Sequence, residues 1–162
     1  MIIGVLKETI EGEFRVAATP ETVKKLITLK YLVHIESNAG IKASITDQMY
    51  IDSGALIKTK EEIFEADLLL KVRAPNINEI EKLTNGQYIV GLLEPFNKDI
   101  TTKLSVKRVN AFSLESLPRN TRAQSMDVLS SQANIAGYKA VILAADHYKK
   151  FFPMLMTAAG TV

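Results

Sequence analysis

Short apolar segments return along this chain at a spacing that leaves room for one helix between most neighbours, and no other feature constrains the fold as much. Ile2 to Leu6, Leu32 to Glu36, Ala55 to Ile57, Asp67 to Val72, Tyr88 to Leu92 and Val109 to Phe112 read as strands. Helix starts with explicit chemistry lie between them. Thr19-Pro20-Glu21 offers a hydroxyl cap, a proline at the first helical position and an acid beside the helix dipole. Val23, Leu26 and Ile27 follow at helical spacing. Asp47 to Ser53 reads as a short helix closed by Gly54. Thr59 and Glu62 have the spacing of a capping box. Asn78 to Leu83 and Lys98 to Val106 are further helices, with a turn at Asn85-Gly86. Strands joined through helices pair in parallel, so the pattern predicts an α/β fold: a mainly parallel sheet with helices on both faces.

From Thr121 the pattern changes. Thr121 and Gln124 again have capping-box spacing, and a long helix is predicted from about residue 121 to 150. Small residues line it (Ala133, Ala136, Gly137, Ala140, Ala144, Ala145), which permits close packing. Pro153 and Gly160 punctuate the C-terminal stretch.

Bulk properties remove several function classes. At 162 residues and 47% apolar content the chain can build one domain with a sizeable core. Its formal net charge of +2 comes from scattered Lys and Arg, so no field favours nucleic acid or an anionic membrane. With no cysteine, disulfides and thiolate metal sites are excluded. The longest apolar runs, Ala140 to Ala145 and Phe151 to Met156, fall far short of the roughly 20 residues of a membrane span. No signal peptide is expected, because the first residues read directly as a strand.

The densest cluster of functional side chains is Pro118 to Tyr138. Arg119, Arg122, Gln124, Ser125, Asp127, Ser130, Ser131, Gln132 and Asn134 crowd one loop and helix start. Gln can offer a donor and an acceptor to a carboxamide, and Asp and Ser suit ribose hydroxyls. A well-capped, solvated helix start has the same composition, so residue chemistry alone leaves both readings open. Arg15 follows the first strand, and Lys71 ends the apolar strand Leu68-Leu69-Leu70. Ligands bind in open α/β sheets outside the carboxyl ends of strands, although a lysine there can also simply reach for solvent. His34 and His147 are poor catalytic candidates, and no spacing of His or acids suggests a metal. No catalytic side chain is assigned. A Gly-x-Gly-x-x-Gly dinucleotide motif is nowhere in the chain.

With these residues in view, the chain resembles the N-terminal part of the transhydrogenase alpha subunit and, more distantly, alanine dehydrogenase. The matching stretches run in order from Ile3-Gly-Val-Leu-Lys-Glu through Arg15-Val-Ala-Ala-Thr-Pro20, Glu36-Ser-Asn-Ala-Gly40 and Leu70-Lys-Val-Arg-Ala-Pro75. They continue with Pro118-Arg119, Arg122-Ala-Gln-Ser-Met-Asp, Leu129 to Tyr138 and Thr157-Ala-Ala-Gly160. Alanine dehydrogenases carry a catalytic His after the strand that here spans Tyr88 to Leu92. This chain has Leu92-Leu93-Glu94 there, which favours the transhydrogenase side.

The resemblance implies a Rossmann-like N-terminal α/β domain over 1–120, lacking its returning C-terminal helices. It further implies a linking helix over 121–150 and, over 151–162, the start of a connection to an NAD-binding Rossmann domain that is missing. It implies NAD(H) as cofactor, NADP(H) on a partner subunit, and hydride transfer coupled to proton movement. Arg119, Gln124, Asp127 and Ser130 would surround the nicotinamide and its ribose. Arg15 and Lys71 would line the cleft. The implied partners are the rest of the alpha subunit, the membrane-embedded and NADP-binding subunits, and a second copy in a homodimer. The location would be the cytoplasmic side of the inner membrane, held there through those subunits. The chain alone is expected to be inactive; a non-catalytic remnant or assembly module and an alanine dehydrogenase-like fragment are the alternatives.

Overall fold

The structure, a computed structural model, describes residues 1–150, 152, 156–158 and 160–161. Six strands pair in parallel in the order β3-β2-β1-β4-β5-β6. They are β1 (Ile2–Val5), β2 (Leu32–Glu36), β3 (Leu56–Lys58), β4 (Leu68–Leu70), β5 (Tyr88–Gly91) and β6 (Asn110–Ser113). Each predicted strand forms, β2 with the predicted bounds and the others with ends moved by one or two residues. In this order the chain winds outward from β1 in one direction and then from β4 in the other. This is the Rossmann-like arrangement, whose ligand crevice opens at the carboxyl ends of the strands.

The helices form where their caps allow. α1 (Pro20–Thr28) starts on Thr19, whose hydroxyl accepts from the Thr22 amide. α2 (Asp47–Ile51) leads to Gly54, which turns the chain at φ 93°, a conformation that favours glycine. α3 (Lys60–Ile63) carries the expected Thr59–Glu62 capping box. α4 (Ile77–Lys82) has a second box, Asn76 with Glu79, and so starts a residue earlier than predicted. α5 (Lys98–Val106) follows Asn97.

Alternate strand residues face opposite sides and build two cores. Leu69 and Ile89 pack with Ile63 of α3, Ile80 of α4, Leu83 just after that helix and Leu104 of α5. Val5, Val33 and Ile35 pack with Val23 of α1 and Tyr50 of α2 on the other face. Burial of these side chains is the main source of stability, at about 1.5–3 kcal/mol each.

The long helix departs from the sequence reading. α6 runs over Val128–His147, starting well after Thr121 and ending before Lys150. Thr121 and Gln124 do not cap it. Asn120 instead takes the Ala123 amide on its side chain, which turns the loop, and Gln124–Met126 form one tight 3-10 turn. Asp127 is the cap: its carboxylate accepts from the Ser130 amide at 3.0 Å and hydroxyl at 2.6 Å. An Asp with a returning hydroxyl outcompetes the Thr–Gln pattern. No residue of α6 is buried. Half of the expected connection over 151–162 lies outside the described residues. Within it, Met156–Thr157 and Gly160–Thr161 form a short antiparallel pair.

Candidate functional site

The parallel sheet gathers the loops that follow β1, β4, β5 and β6 along one edge. Arg15 lies on the first of them, Lys71 at the start of the second, Leu92 to Glu94 on the third and Arg119 to Asp127 on the fourth. Two cavities open at this edge, and Leu114 lines both.

The first cavity encloses about 400 Å³ and is lined by Glu115, Arg119, Gln124, Asp127, Leu129 and Ser130, among others. All four of the residues singled out in sequence for the nicotinamide end therefore share one wall. Their states differ. Asp127 and Ser130 are engaged with each other at the head of α6. The Ser130 hydroxyl and amide hold the Asp127 carboxyl below its ordinary value, with Arg119 adding charge attraction. The guanidinium of Arg119 and the amide of Gln124 are exposed, and no hydrogen bond ties either side chain among the described residues.

The second cavity, about 520 Å³, is lined by Arg15, Val16, Leu70, Lys71, Gln132 and Ile135, among others. Arg15 and Lys71 thus meet at one site, but both are already committed. Arg15 donates from Nε and Nη2 to Glu13, 2.7 Å each, and from Nη1 to Gln132 of α6 at 2.9 Å. The hydrogen bond from Arg15 holds the Glu13 carboxyl below its ordinary value. Lys71 is turned inward, 1% exposed, with its ammonium 3.1 Å from Glu79 and 3.7 Å from Glu8. Burial pushes the Glu8 carboxyl up against the pull of Lys71 and the Val72 amide, and its Oε2 has no hydrogen-bond partner. The 3.7 Å approach of Lys71 is a charge contact, too long to be a hydrogen bond.

Sequence reasoning missed Glu8, Glu13, Glu79 and Glu115. Glu8, Glu13 and Glu115 act across a distance in sequence or inside a turn, where no local spacing announces them. Only Glu79 had a readable signal, the Asn76-x-x-Glu79 capping pattern. Among the described residues no group of three or more His, Cys, Asp or Glu could hold a metal ion, and no helix is long and apolar enough to cross a membrane.

Sheet order, parallel pairing and a polar loop over the carboxyl edge define a Rossmann-like α/β domain. Comparison with known proteins narrows the class. The family described as alanine dehydrogenase/PNT, N-terminal domain, matches residues 4–136, and the chain belongs to that family. It is 44% identical to the NAD(P) transhydrogenase subunit alpha of Haemophilus influenzae across 100% of its own length and 32% of that relative's. It is 40% identical to the NAD(P) transhydrogenase subunit alpha of Cereibacter sphaeroides, again over 100% of this chain and 32% of the relative. The crystal structure of transhydrogenase from Sinorhizobium meliloti superposes with a TM-score of 0.93 at 44% identity, covering 100% of this chain and 49% of that one. The chain thus spans a third to a half of the length of these relatives.

Proposed function

We propose that this chain is the N-terminal, NAD(H)-side portion of a proton-translocating nicotinamide nucleotide transhydrogenase. In that reading hydride passes from NADH here to NADP+ on a partner subunit, and partner subunits hold the assembly at the cytoplasmic face of the inner membrane. α6 then links the α/β domain to the remainder of the alpha subunit.

One observation carries the proposal. Arg119, Gln124, Asp127 and Ser130 line a single cavity at the carboxyl edge of the sheet, two of them with uncommitted side chains. The donor set fits a nicotinamide riboside. Gln124 can pair with the carboxamide through both a donor and an acceptor, and Arg119 brings further donors. Asp127 and Ser130 bond to each other and keep lone pairs for ribose hydroxyls. When bound, the nicotinamide supplies the hydride chemistry; the protein's part is orientation and water exclusion. Direct transfer between two nicotinamides needs no side-chain acid or base. Leu114, Leu117 and Leu129 give the cavity an apolar side that would keep water from the ring.

A chimera tests the reading. Replacing the matching N-terminal third of the Haemophilus influenzae subunit alpha with this chain should give an assembled enzyme that reduces an NADP+ analogue with NADH. A chimera that assembles and folds but transfers no hydride counts against it.

A further inference from the structure

Residues 118–127 carry three of the four nicotinamide-end candidates, yet nothing in the loop bonds directly to the sheet. Their hydrogen bonds run to one another and to the first turn of α6. Their only buried side chain is Ala123. The polar ties to the body lie just outside the loop, one at each end. On the entry side Glu115 accepts from the amides of Leu93 and Glu94 at 3.1 and 2.8 Å, and from the Ser113 hydroxyl. On the exit side Gln132 accepts from Arg15, itself gripped by Glu13.

We propose that Glu115 and the Glu13–Arg15–Gln132 relay are positioning groups that suspend the 118–127 loop between two anchors and so set where Arg119 and Gln124 stand. The proposal rests on the reading that this loop receives the nicotinamide end.

The chemistry of each anchor fits the task. A carboxylate has two oxygens, and Glu115 spends them on two consecutive amides of the β5–α5 loop. Glu94 sits at φ 53°, a left-handed conformation that a non-glycine residue keeps only when its surroundings over-determine it. The Glu115 carboxylate on its amide supplies part of that determination. Burial pushes Glu115 up, but the Ser113 hydroxyl and these amides outweigh it and hold its carboxyl below the ordinary value. It therefore stays an acceptor at neutral pH. At the other end, Arg15 has Nε and Nη2 fixed by one carboxylate, which leaves Nη1 aimed at Gln132, a residue 117 positions away. A forked guanidinium held on two sides transmits orientation better than a lysine could. Arg15 thereby acts through α6 on the loop, and its cavity-lining position does not require it to touch a ligand.

Amide hydrogen exchange on the whole 162-residue chain reads the anchors separately. Glu115→Gln leaves one acceptor oxygen for two amides. Exchange at the bonded amides of Ala123, Gln124 and Met126 should rise roughly tenfold, as loss of a charge-assisted hydrogen bond implies. Leu93 and Glu94 should accelerate with them, while β1 and β4 stay protected. Gln132→Ala should accelerate the same loop amides without touching Leu93 and Glu94. Should Glu115→Gln fail to fold, Gln132→Ala decides alone, since its side chain is only half-buried. Titration with nicotinamide mononucleotide, followed by NMR, adds the readout that simple destabilisation would not move. Wild type should shift the Arg119 and Gln124 side-chain resonances, and each variant should need several-fold more ligand while its sheet stays protected. Unchanged loop exchange in the folded variants, or acceleration spread over the whole sheet, overturns the suspension. A wild type whose resonances ignore the ligand overturns the nicotinamide reading instead, and leaves the exchange result to judge the anchors.

Discussion

Lys71 and Glu79 form an ion pair at 3.1 Å with side chains only 1% and 2% exposed, and Glu8 completes the buried cluster 3.7 Å from the same ammonium. Glu79 also receives Lys60 at 3.1 Å and boxes the start of α4. The cluster therefore joins the carboxyl ends of β1 and β4 to α3 and α4 behind the cavities. Removing one member of a buried pair strands the others uncompensated, which typically costs about 3–5 kcal/mol. Lys71→Met should lower unfolding free energy by that order in a urea titration. A variant as stable as wild type would return Lys71 to the role of a free ligand-binding arm.

Acid should loosen the same region. Burial raises Glu79, but Lys71, the Asn76 amide and Lys60 outweigh it, and the net direction is downward; Glu115 is lowered likewise. A carboxyl whose folded pKa lies below its unfolded one stabilises fully above the unfolded value, here 4.5, and loses that contribution as pH falls through the folded value. Glu8 is shifted upward, so its protonated form favours folding and its contribution fades as pH rises through its folded value. Stability should fall as pH drops below about 4.5, and Glu115→Gln should flatten that slope. A slope identical in wild type and variant would contradict this assignment.

Close packing sets a third expectation. A Cβ on Gly91 of β5 would stand 2.5 Å from the Lys71 carbonyl oxygen, a backbone atom with little freedom to retreat. Gly91→Ala should destabilise by about 1–3 kcal/mol, as overpacked sites do. Thermal unfolding measures it, and an unchanged midpoint would show that β4 and β5 can part there.

Apolar surface on the described residues should bind dye. On α6, Ile135, Tyr138, Val141, Ile142 and Leu143 are each 43% exposed or more. On the sheet, Tyr88 and Phe112 stack at 6.2 Å with both rings partly open to solvent. Patches of this kind bind hydrophobic fluorophores. The purified chain should enhance the fluorescence of such a dye, and Val141→Lys with Leu143→Lys should reduce it. Enhancement unaffected by that double change would place the dye elsewhere.

The strands, the two-faced core and most helix starts are legible in the sequence because they rest on local patterns: Thr19-Pro20, Thr59-Glu62, and apolar runs of strand length. The start of α6 is not, because two capping patterns compete within ten residues, and Asp127 with Ser130 wins over Thr121 with Gln124. The gathering of Arg119, Gln124, Asp127 and Ser130 is readable from their closeness in sequence. The partners of Arg15 and Lys71 are not, since Gln132, Glu79 and Glu8 reach them only through sheet topology.

The most direct test of the central claim is single-turnover hydride transfer in the chimeric enzyme carrying Gln124→Ala, with NADH binding measured on the same preparation. Gln124 touches the reacting end in this account, so its loss should displace the ring rather than the rest of the dinucleotide. The transfer rate should fall by about 100-fold while the NADH dissociation constant shifts by no more than a few-fold. A transfer rate unchanged from the parent chimera, with NADH bound as tightly, would remove the 118–127 loop from the nicotinamide site.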